Sequence, residues 1–493
     1  MTFALHPRKK NLACHGLCTC ALAAAALLAG CSSLAPSYEA PALPVANQYP
    51  ADAPVSETGA HAASLGWREQ FSDPRLQQLI AQALENNRDL RTAVLRVQEA
   101  KAAYNIQRAE RLPVVAVSAQ DTRAHVPADL NILGVPVTSS QYQVGVGLAT
   151  WELDFWGRVR SLQDAALENY LATDEARRAV HLSLVAQVAD GYLSLRELDE
   201  RVALARLTIA SREDSLRIFT RRFEVGSTSR LDLTQVQTLL AQARSLGAQL
   251  EQARAAQAHA LTRLVGAPVD LSPAQSRLDD AAVVQELRAG LPSDLLADRP
   301  DIVAAEHALR AAHANIGAAR AAFFPRITLT GSFGTASASL DGLFESGSRA
   351  WSYAPSISLP IFDGGLRRSN LDLTEVRRNL AVANYEKTVQ SAFREVSDAL
   401  AARQWLAEQV RIQQMALAAQ SERARLAKLR YDNGASAFFE VLDAQRDLLT
   451  AEQQLVQTRR ALLSARVALY AALGGGTQEL AAPVAETSRS PIH

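Results

Sequence analysis

Four segments of the chain alternate between apolar and polar residues. Between residues 351 and 361 the odd positions are apolar, from Trp351 and Tyr353 to Ile361, and the even positions are mainly serine. This period of two predicts a β-strand with one apolar face. Each segment has about eight to eleven residues, close to the length of a tilted strand that crosses a bilayer. The four segments are residues 114–122, where the alternation is weakest, 141–148, 326–334 and 351–361.

Aromatic residues stand near the ends of these segments, where the girdle of a membrane barrel would place them. They are Trp151, Phe155, Trp156, Trp351 and Tyr353. A soluble four-stranded sheet with one wet face is the alternative. Four strands cannot close a membrane barrel, because single-chain barrels have at least eight strands and lipid does not tolerate open edges. A membrane interpretation therefore requires several copies, and three chains would supply twelve strands.

A long segment without proline follows each pair of predicted strands. Residues 157–222 and 366–431 are rich in Ala, Leu, Arg, Gln and Glu, and each predicts a helix of roughly 99 Å. Leucines recur every seven residues from Leu448 to Leu469, which predicts coiled-coil-like packing. The other predicted helices are 88–111, 228–265, 300–323 and 436–473.

The chain repeats itself once. The stretch that ends at Gly226 matches the stretch that ends at Gly434 at an offset of 208, and Pro113 matches Pro325 at an offset of 212. Such long offsets indicate a duplication rather than a short-period solenoid. The predicted regions are a first repeat 67–266, a connector 267–299, a second repeat 300–474 and a C-terminal tail 475–493.

The N-terminus has the features of an export signal. A basic stretch and a Leu/Ala-rich stretch lead to Leu28-Ala29-Gly30-Cys31, which is similar to a bacterial lipobox. We expect a signal peptide over 1–30, diacylation at Cys31 and an extended lipid-anchored linker over 31–66. A plain signal peptide with a chance cysteine is the alternative.

Composition excludes several classes of protein. Lys plus Arg and Asp plus Glu are both 51, and this zero net charge argues against a nucleic-acid partner. No stretch after residue 31 is long and apolar enough for a spanning helix. Catalytic motifs are lacking, and His307 and His313 lie six residues apart on a predicted helix, a poor spacing for a shared metal. We therefore expect no enzyme activity and no metal site.

Several stretches together resemble the outer membrane factor (TolC-like) family, and within it the lipidated drug-efflux branch. They run in order along nearly the whole mature chain, and among them are WREQFSDPRLQQLIAQALENNRDL at 67–90, WELDFWGRVR at 151–160, GLPSDLLADRPDI at 290–302, LPIFDGG at 359–365 and LYAALGGG at 469–476.

The resemblance implies a mostly α-helical fold with a membrane β region. Three chains would form a twelve-stranded β-barrel in the outer membrane, continuing into a long periplasmic α-helical barrel. The homotrimer would be a passive exit duct for drugs or small toxic compounds. It would work with a periplasmic adaptor and an inner-membrane RND-type pump, without a cofactor.

The resemblance also implies a periplasmic gate at the two helix–turn–helix tips. Its acids match Asp232, Glu440 and Asp443, a constricting apolar position matches Phe439, and a hydrogen-bonding tyrosine matches Tyr431. Relatives place an arginine where this chain has Ser436, so that contact is not expected. Acids in the first turns of a helix also favour its macrodipole, which is the structural alternative.

Two rival functions stay open at this point. A duct of the same kind could serve type I protein secretion, although the lipobox and the LPIFDGG stretch favour drug efflux. A structural coiled-coil lipoprotein that only spans the periplasm would not need the alternating strands.

Overall fold

The computed structural model describes residues 34–50, 59–273, 277–278, 287–288, 290 and 292–478. The predicted signal peptide 1–30 and Cys31 lie outside the described residues, as do parts of the linker, the connector and the tail. The elements in chain order are β1 (Ala60–His61), α1 (Trp67–Gln70), α2 (Pro74–Asn86), α3 (Arg88–Ala109), β2 (Val115–Val126), β3 (Val137–Glu152), α4 (Arg158–Glu224), α5 (Arg230–Val265), β4 (Leu287–Arg288), α6 (Leu295–Asp298), α7 (Pro300–Ala321), β5 (Arg326–Ser337), β6 (Arg349–Ser358), α8 (Leu366–Asp432) and α9 (Phe438–Ala472).

The chain forms two compact units, which are described separately. The sheet unit comprises the described residues of Met1–Pro41, Gln98–Ala172 and Glu306–Asn384. The helical unit comprises those of Ala42–Val97, Thr173–Ala305 and Tyr385–His493.

The helices begin and end within about three residues of the predicted positions. α4 and α8 each run for 67 residues without interruption, as expected for stretches that lack proline and favour helix. Among the described helices, none is both long enough and apolar enough to cross a membrane.

Four antiparallel strands of the sheet unit form a sheet in the order β2-β3-β5-β6. One row across it consists of Val117, Val146, Phe333 and Trp351, each directly opposite the next. Directly opposed residues point to the same face, so the alternation read from the sequence places the apolar side chains together. The other face carries hydroxyl groups, and Ser332 Oγ lies 2.7 Å from Ser352 Oγ.

The strand ends differ from the sequence prediction. β3 runs from Val137 to Glu152, beyond the predicted 141–148. Between the pairs Leu148–Gly331 and Trp151–Leu329, two residues of β3 face one residue of β5. This extra residue shifts the alternation there, which is why the pattern stopped early. β6 ends at Ser358 rather than at Ile361, because Pro360 has no N–H for the ladder.

The core of the helical unit lies where α1 and α2 pack against the middle of α4 and the end of α9. Phe71, Ile80, Tyr192 and Tyr470 are almost completely buried there. The hydroxyl of Tyr192 donates to Asp73 Oδ2 at 2.7 Å, while Asp73 Oδ1 accepts the first backbone N–H groups of α2. Asp73 thus accepts hydrogen bonds both from the N-terminal N–H groups of α2 and from the hydroxyl of a buried tyrosine.

A buried arginine joins three parts of the helical unit. Arg299 donates through Nη2 to Asp301 at 2.6 Å, and through Nη1 to Glu395 of α8 at 2.7 Å and to the Ala472 carbonyl at the end of α9 at 3.0 Å. Burial disfavours the charge of Arg299, but the two acids outweigh that effect and raise its pKa.

Candidate gate at the two helical tips

The α4–α5 turn and the α8–α9 turn, here the first and second tips, share one backbone conformation. Gly226 and Gly434 have φ of 74° and 69°. In each tip a backbone N–H donates to a carbonyl of the last helical turn. Ser227 donates to the Arg222 carbonyl and Ala435 to the Arg430 carbonyl, both at 2.8 Å. The left-handed conformation favours glycine.

The acid of the first tip is a helix cap. Asp232 Oδ2 accepts from Ser229 Oγ at 2.6 Å and from the Ser229 N–H at 3.2 Å, and the Asp232 N–H donates to Ser229 Oγ at 3.1 Å. This reciprocal arrangement is a capping box. The hydrogen bonds from Ser229 lower the pKa of Asp232. The Asp232 carboxylate therefore stabilises the N-terminus of α5, which is the structural alternative to a gate role.

The second tip lacks this cap. Ala437 occupies the position equivalent to Ser229 and has no hydroxyl, so the Glu440 carboxylate has no capping partner there. Glu440 instead lies 3.5 Å from Arg430 Nη1, and about half of its side chain is exposed. Of the two equivalent acids, Glu440 is thus the one that is not used as a helix cap.

Asp443 belongs to an ion-pair cluster, here defined as Asp443, Asp447, Arg423 and Arg446. Arg423 of α8 bonds to Asp443 at 2.7 Å and to Asp447 at 2.6 Å. Arg446, on α9 with the acids, bonds to Asp443 at 2.5 Å and to Asp447 at 3.0 Å. Arg423 and Arg446 lower the pKa of Asp447. The cluster ties α8 to α9 and balances its two negative charges with two positive ones.

Tyr431 connects the two tips. Its hydroxyl accepts a short hydrogen bond from Arg222 of α4, and its ring lies 4.9 Å from that of Phe438. Phe438 also contacts Phe219 of α4, with ring centroids 4.6 Å apart. The predicted apolar gate residue Phe439 points elsewhere and is 56% exposed. Phe438 therefore holds the tips of one chain together, whereas Phe439 is largely exposed to solvent.

Ser436 makes no arginine-like contact. Its hydroxyl is buried and has no hydrogen-bond partner within the described chain. Arg222 instead supplies the cation that meets Tyr431.

The sequence did not reveal Arg222, Arg423, Arg446 and Asp447 as tip residues. Arg446 and Asp447 follow Asp443 at helical spacing and could have been found by testing i+3 and i+4 positions. Arg423 and Arg222 are 20 and 209 residues from their partners, and no sequence signal indicates those pairings.

The predicted girdle aromatics lie at two different heights along the strands of the sheet. Trp151 is opposite Leu329, and Leu329 is opposite Pro355. Trp351 therefore lies four residues along β6 from the height of Trp151. Trp156 donates to the Pro325 carbonyl at 2.8 Å and stacks on Phe324, and Phe155 lies in the same turn after β3. Trp351 and Tyr353 are 73% and 67% exposed.

The histidines noted in the sequence have other partners. His307 Nδ1 lies 2.6 Å from Glu168, and the ring of His313 packs edge-on against Tyr38. Among the described residues, no three His, Cys, Asp or Glu side chains are grouped as metal ligands would be.

Comparison with known families gives one repeated match. The family model described as "Outer membrane efflux protein" matches residues 79–267 and again 291–475. The two matches begin 212 residues apart and end 208 residues apart, the same offsets that the internal repeat shows.

Individual relatives match over nearly the full length. The antibiotic efflux pump outer membrane protein ArpC of Pseudomonas putida is 43% identical, over 93% of this chain and 95% of the relative. The outer membrane protein OprJ of Pseudomonas aeruginosa is 44% identical, over 92% and 95%. Among solved structures, the open state of the Neisseria gonorrhoeae MtrE outer membrane channel aligns with a TM-score of 0.82 at 40% identity, over 90% of this chain and 99% of that one.

Proposed function

The chain belongs to the outer membrane efflux protein family, and from that membership we propose that it is the outer membrane channel of a tripartite efflux pump. Relatives are outer membrane components of antibiotic and toluene efflux pumps by name. The cargo we propose is accordingly small and toxic to the cell, such as antibiotics or organic solvents.

The exposed apolar face of the sheet is the observation that carries this proposal. Val117, Phe333, Trp351, Tyr353 and Ile357 are all 60% exposed or more. An apolar face of this kind on a four-stranded sheet is costly in water and matches the lipid-facing side of a membrane barrel.

The proposed assembly is a homotrimer. β2 and β6 are the outer strands of the sheet, and each has one edge that pairs with no other strand of the described residues. Lipid does not tolerate such edges, and bacterial barrels have an even number of at least eight strands. Three copies joined β6 to β2 would close a twelve-stranded barrel, with the helices continuing into the periplasm as an α-helical barrel.

The proposed partners are a periplasmic adaptor and an inner-membrane RND-type pump. The pump would supply the free energy, so the channel would act as a passive duct without a cofactor or catalytic group. The adaptor would meet the tips, whose exposed apolar residues include Val225, Leu231 and Phe439.

We also propose that Cys31 is lipidated. The first described residues after it are held against α7 in the sheet unit: Ala35 packs on Gly317, and the hydroxyl of Tyr38 donates to Glu306 at 3.0 Å. Arg310 lies over the Tyr38 ring at 5.1 Å. These contacts support an N-terminal segment fixed close to its anchor.

Channel formation tests the function directly. The purified chain should migrate as a heat-modifiable oligomer in SDS gels, show a β contribution in circular dichroism and conduct ions in planar bilayers. A periplasm-spanning coiled-coil lipoprotein would give none of the three. In cells lacking the endogenous channel, expression should restore resistance to pump substrates; restored secretion of a type I substrate instead would redirect the function.

Replacing Asp443 and Glu440 together with alanine is expected to raise single-channel conductance and weaken cation selectivity. The change removes two acids from each chain, removes one of the two ion pairs that Arg423 makes with α9, and leaves only Asp447 to balance Arg423, Arg430 and Arg446. Rings of charge set the local ion concentration in a pore. Conductance and reversal potential in bilayers measure both effects.

The matched control is D214A/E408A, which removes one exposed acid from α4 and one from α8, outside the two tip turns. Within the described chain, each forms an ion pair only with an arginine three residues away on its own helix. If both double mutants behave like the unmodified channel, the gate assignment at the second tip is wrong.

A further inference from the structure

Arg212 of α4 is a buried cation that has no acidic partner among the described residues. Only 3% of the residue is exposed. Its Nη2 donates to the backbone carbonyl of Leu442, on α9, at 3.2 Å. Its Nη1 is buried and has no hydrogen-bond partner in the described chain.

The surroundings do not compensate the charge. The charged side chain that acts on Arg212 is Arg446, which has the same sign, and burial together with Arg446 lowers the pKa of Arg212. Asp443, next to Leu442 in the chain, is already bonded to Arg423 and Arg446. Arg299 shows the usual solution for a buried arginine, with two acids and a carbonyl.

Arg212 lies beside the apolar contact between α4 and α9 that holds the two tips together. It lies seven residues before Phe219, hence on the same face of α4. Phe219 is in the buried cluster with Val236 and Leu442, against which Phe438 packs. The apolar side chains between α4 and α9 therefore stabilise the packing of the two helices, whereas the buried guanidinium of Arg212 destabilises it.

Arginine cannot escape this penalty by losing a proton, because its pKa is too high. A buried charge without a counter-charge destabilises the packing around it. Separating α4 from the start of α9 would let water reach the guanidinium and remove the penalty.

We propose that the packing of α4 against α9 in this structure is the closed arrangement of the tip, and that Arg212 biases the tip toward opening by destabilising this packing. The proposal rests on the channel function proposed above and adds a residue that sets the position of the open–closed equilibrium. A weakened closed state would let adaptor binding at the tips open the channel with less free energy.

A different role for Arg212 predicts the opposite result. If its hydrogen bond to the Leu442 carbonyl latches the tip, removing the side chain should loosen the tip. Two variants separate the roles: R212M removes charge and hydrogen bond while keeping the length, and R212Q removes the charge but keeps a donor. R217M is the matched control, because Arg217 lies on the same helix with 76% of its side chain exposed.

Amide hydrogen exchange of the full-length protein tests the bias without relying on channel activity. We expect exchange at residues 438–446 to slow by about tenfold in R212M and R212Q, equivalent to about 1.4 kcal/mol, and to stay unchanged in R217M. Faster exchange in R212M with no change in R212Q would establish the latch and overturn the proposal, as would no change in either variant.

Bilayer recordings connect the bias to function. Open probability should fall by about tenfold in both Arg212 variants if the exchange result holds. If the unmodified protein forms no channel, the proposed function fails, and the exchange data still decide whether Arg212 destabilises the tip. If the channel forms and R212M opens it further, the function stands and this inference is wrong.

Discussion

Replacing Gly334 with alanine is expected to prevent the sheet unit from folding. Gly334 of β5 lies directly opposite Gly145 of β3, at the junction of the two hairpins. A Cβ at Gly334 would overlap the Val144 carbonyl and lie 2.5 Å from the Gly145 Cα. These are backbone atoms of the neighbouring strand, so the strands would have to separate. The cost should exceed about 3 kcal/mol, at the high end for a single methyl group.

The control is G147A, two residues along β3 from Gly145. A Cβ there meets nothing closer than the Gly331 carbonyl at 3.8 Å, an ordinary contact. The amount of folded, heat-modifiable protein in outer membranes should be near zero for G334A and normal for G147A. Equal amounts of the two variants would show that the close approach of β3 and β5 is not required.

Replacing Arg299 with methionine should destabilise the helical unit by about 2–4 kcal/mol, because the change leaves a carbonyl and two acids without their donor. The Asp301 and Glu395 side chains are 36% and 48% exposed, so water can replace part of what is lost. Thermal unfolding of the purified protein, followed by far-UV circular dichroism, measures the change.

R394M is the comparison, because the Arg394 side chain is 78% exposed and lies 3.6 Å from Asp398. Similar unfolding temperatures for the two variants would contradict the stabilising role of Arg299.

Local sequence features were enough to place the helices and strands: proline-free, helix-favouring stretches for the helices and alternation for the strands. The alternation that ends at Ile361 placed the apolar face correctly, because side-chain direction in a strand depends only on position. The ends of β3 and β6 could not be predicted from it. The extra residue before Trp151 is defined only against β5, and the end of β6 depends on a ladder hydrogen bond that Pro360 cannot make.

The tips illustrate a different limit. The repeat offset marked Gly226 and Gly434 as equivalent turns, and both adopt the left-handed conformation. The same equivalence suggested like roles for Asp232 and Glu440, yet the first caps its helix and the second does not. The difference comes from one neighbouring residue, Ser229 against Ala437, and is visible in the sequence once the capping box is tested.

The free edges of β2 and β6 have a genetic consequence. In the proposed trimer each copy would offer one edge to the copy on either side, so a chain with a single damaged edge would still enter the trimer and prevent its closure. In a cell that makes intact and damaged chains in equal amounts, only about one trimer in eight would contain three intact copies, if the chains mix at random. Edge mutations should therefore be dominant, whereas mutations that prevent the sheet from folding, such as G334A, should be recessive.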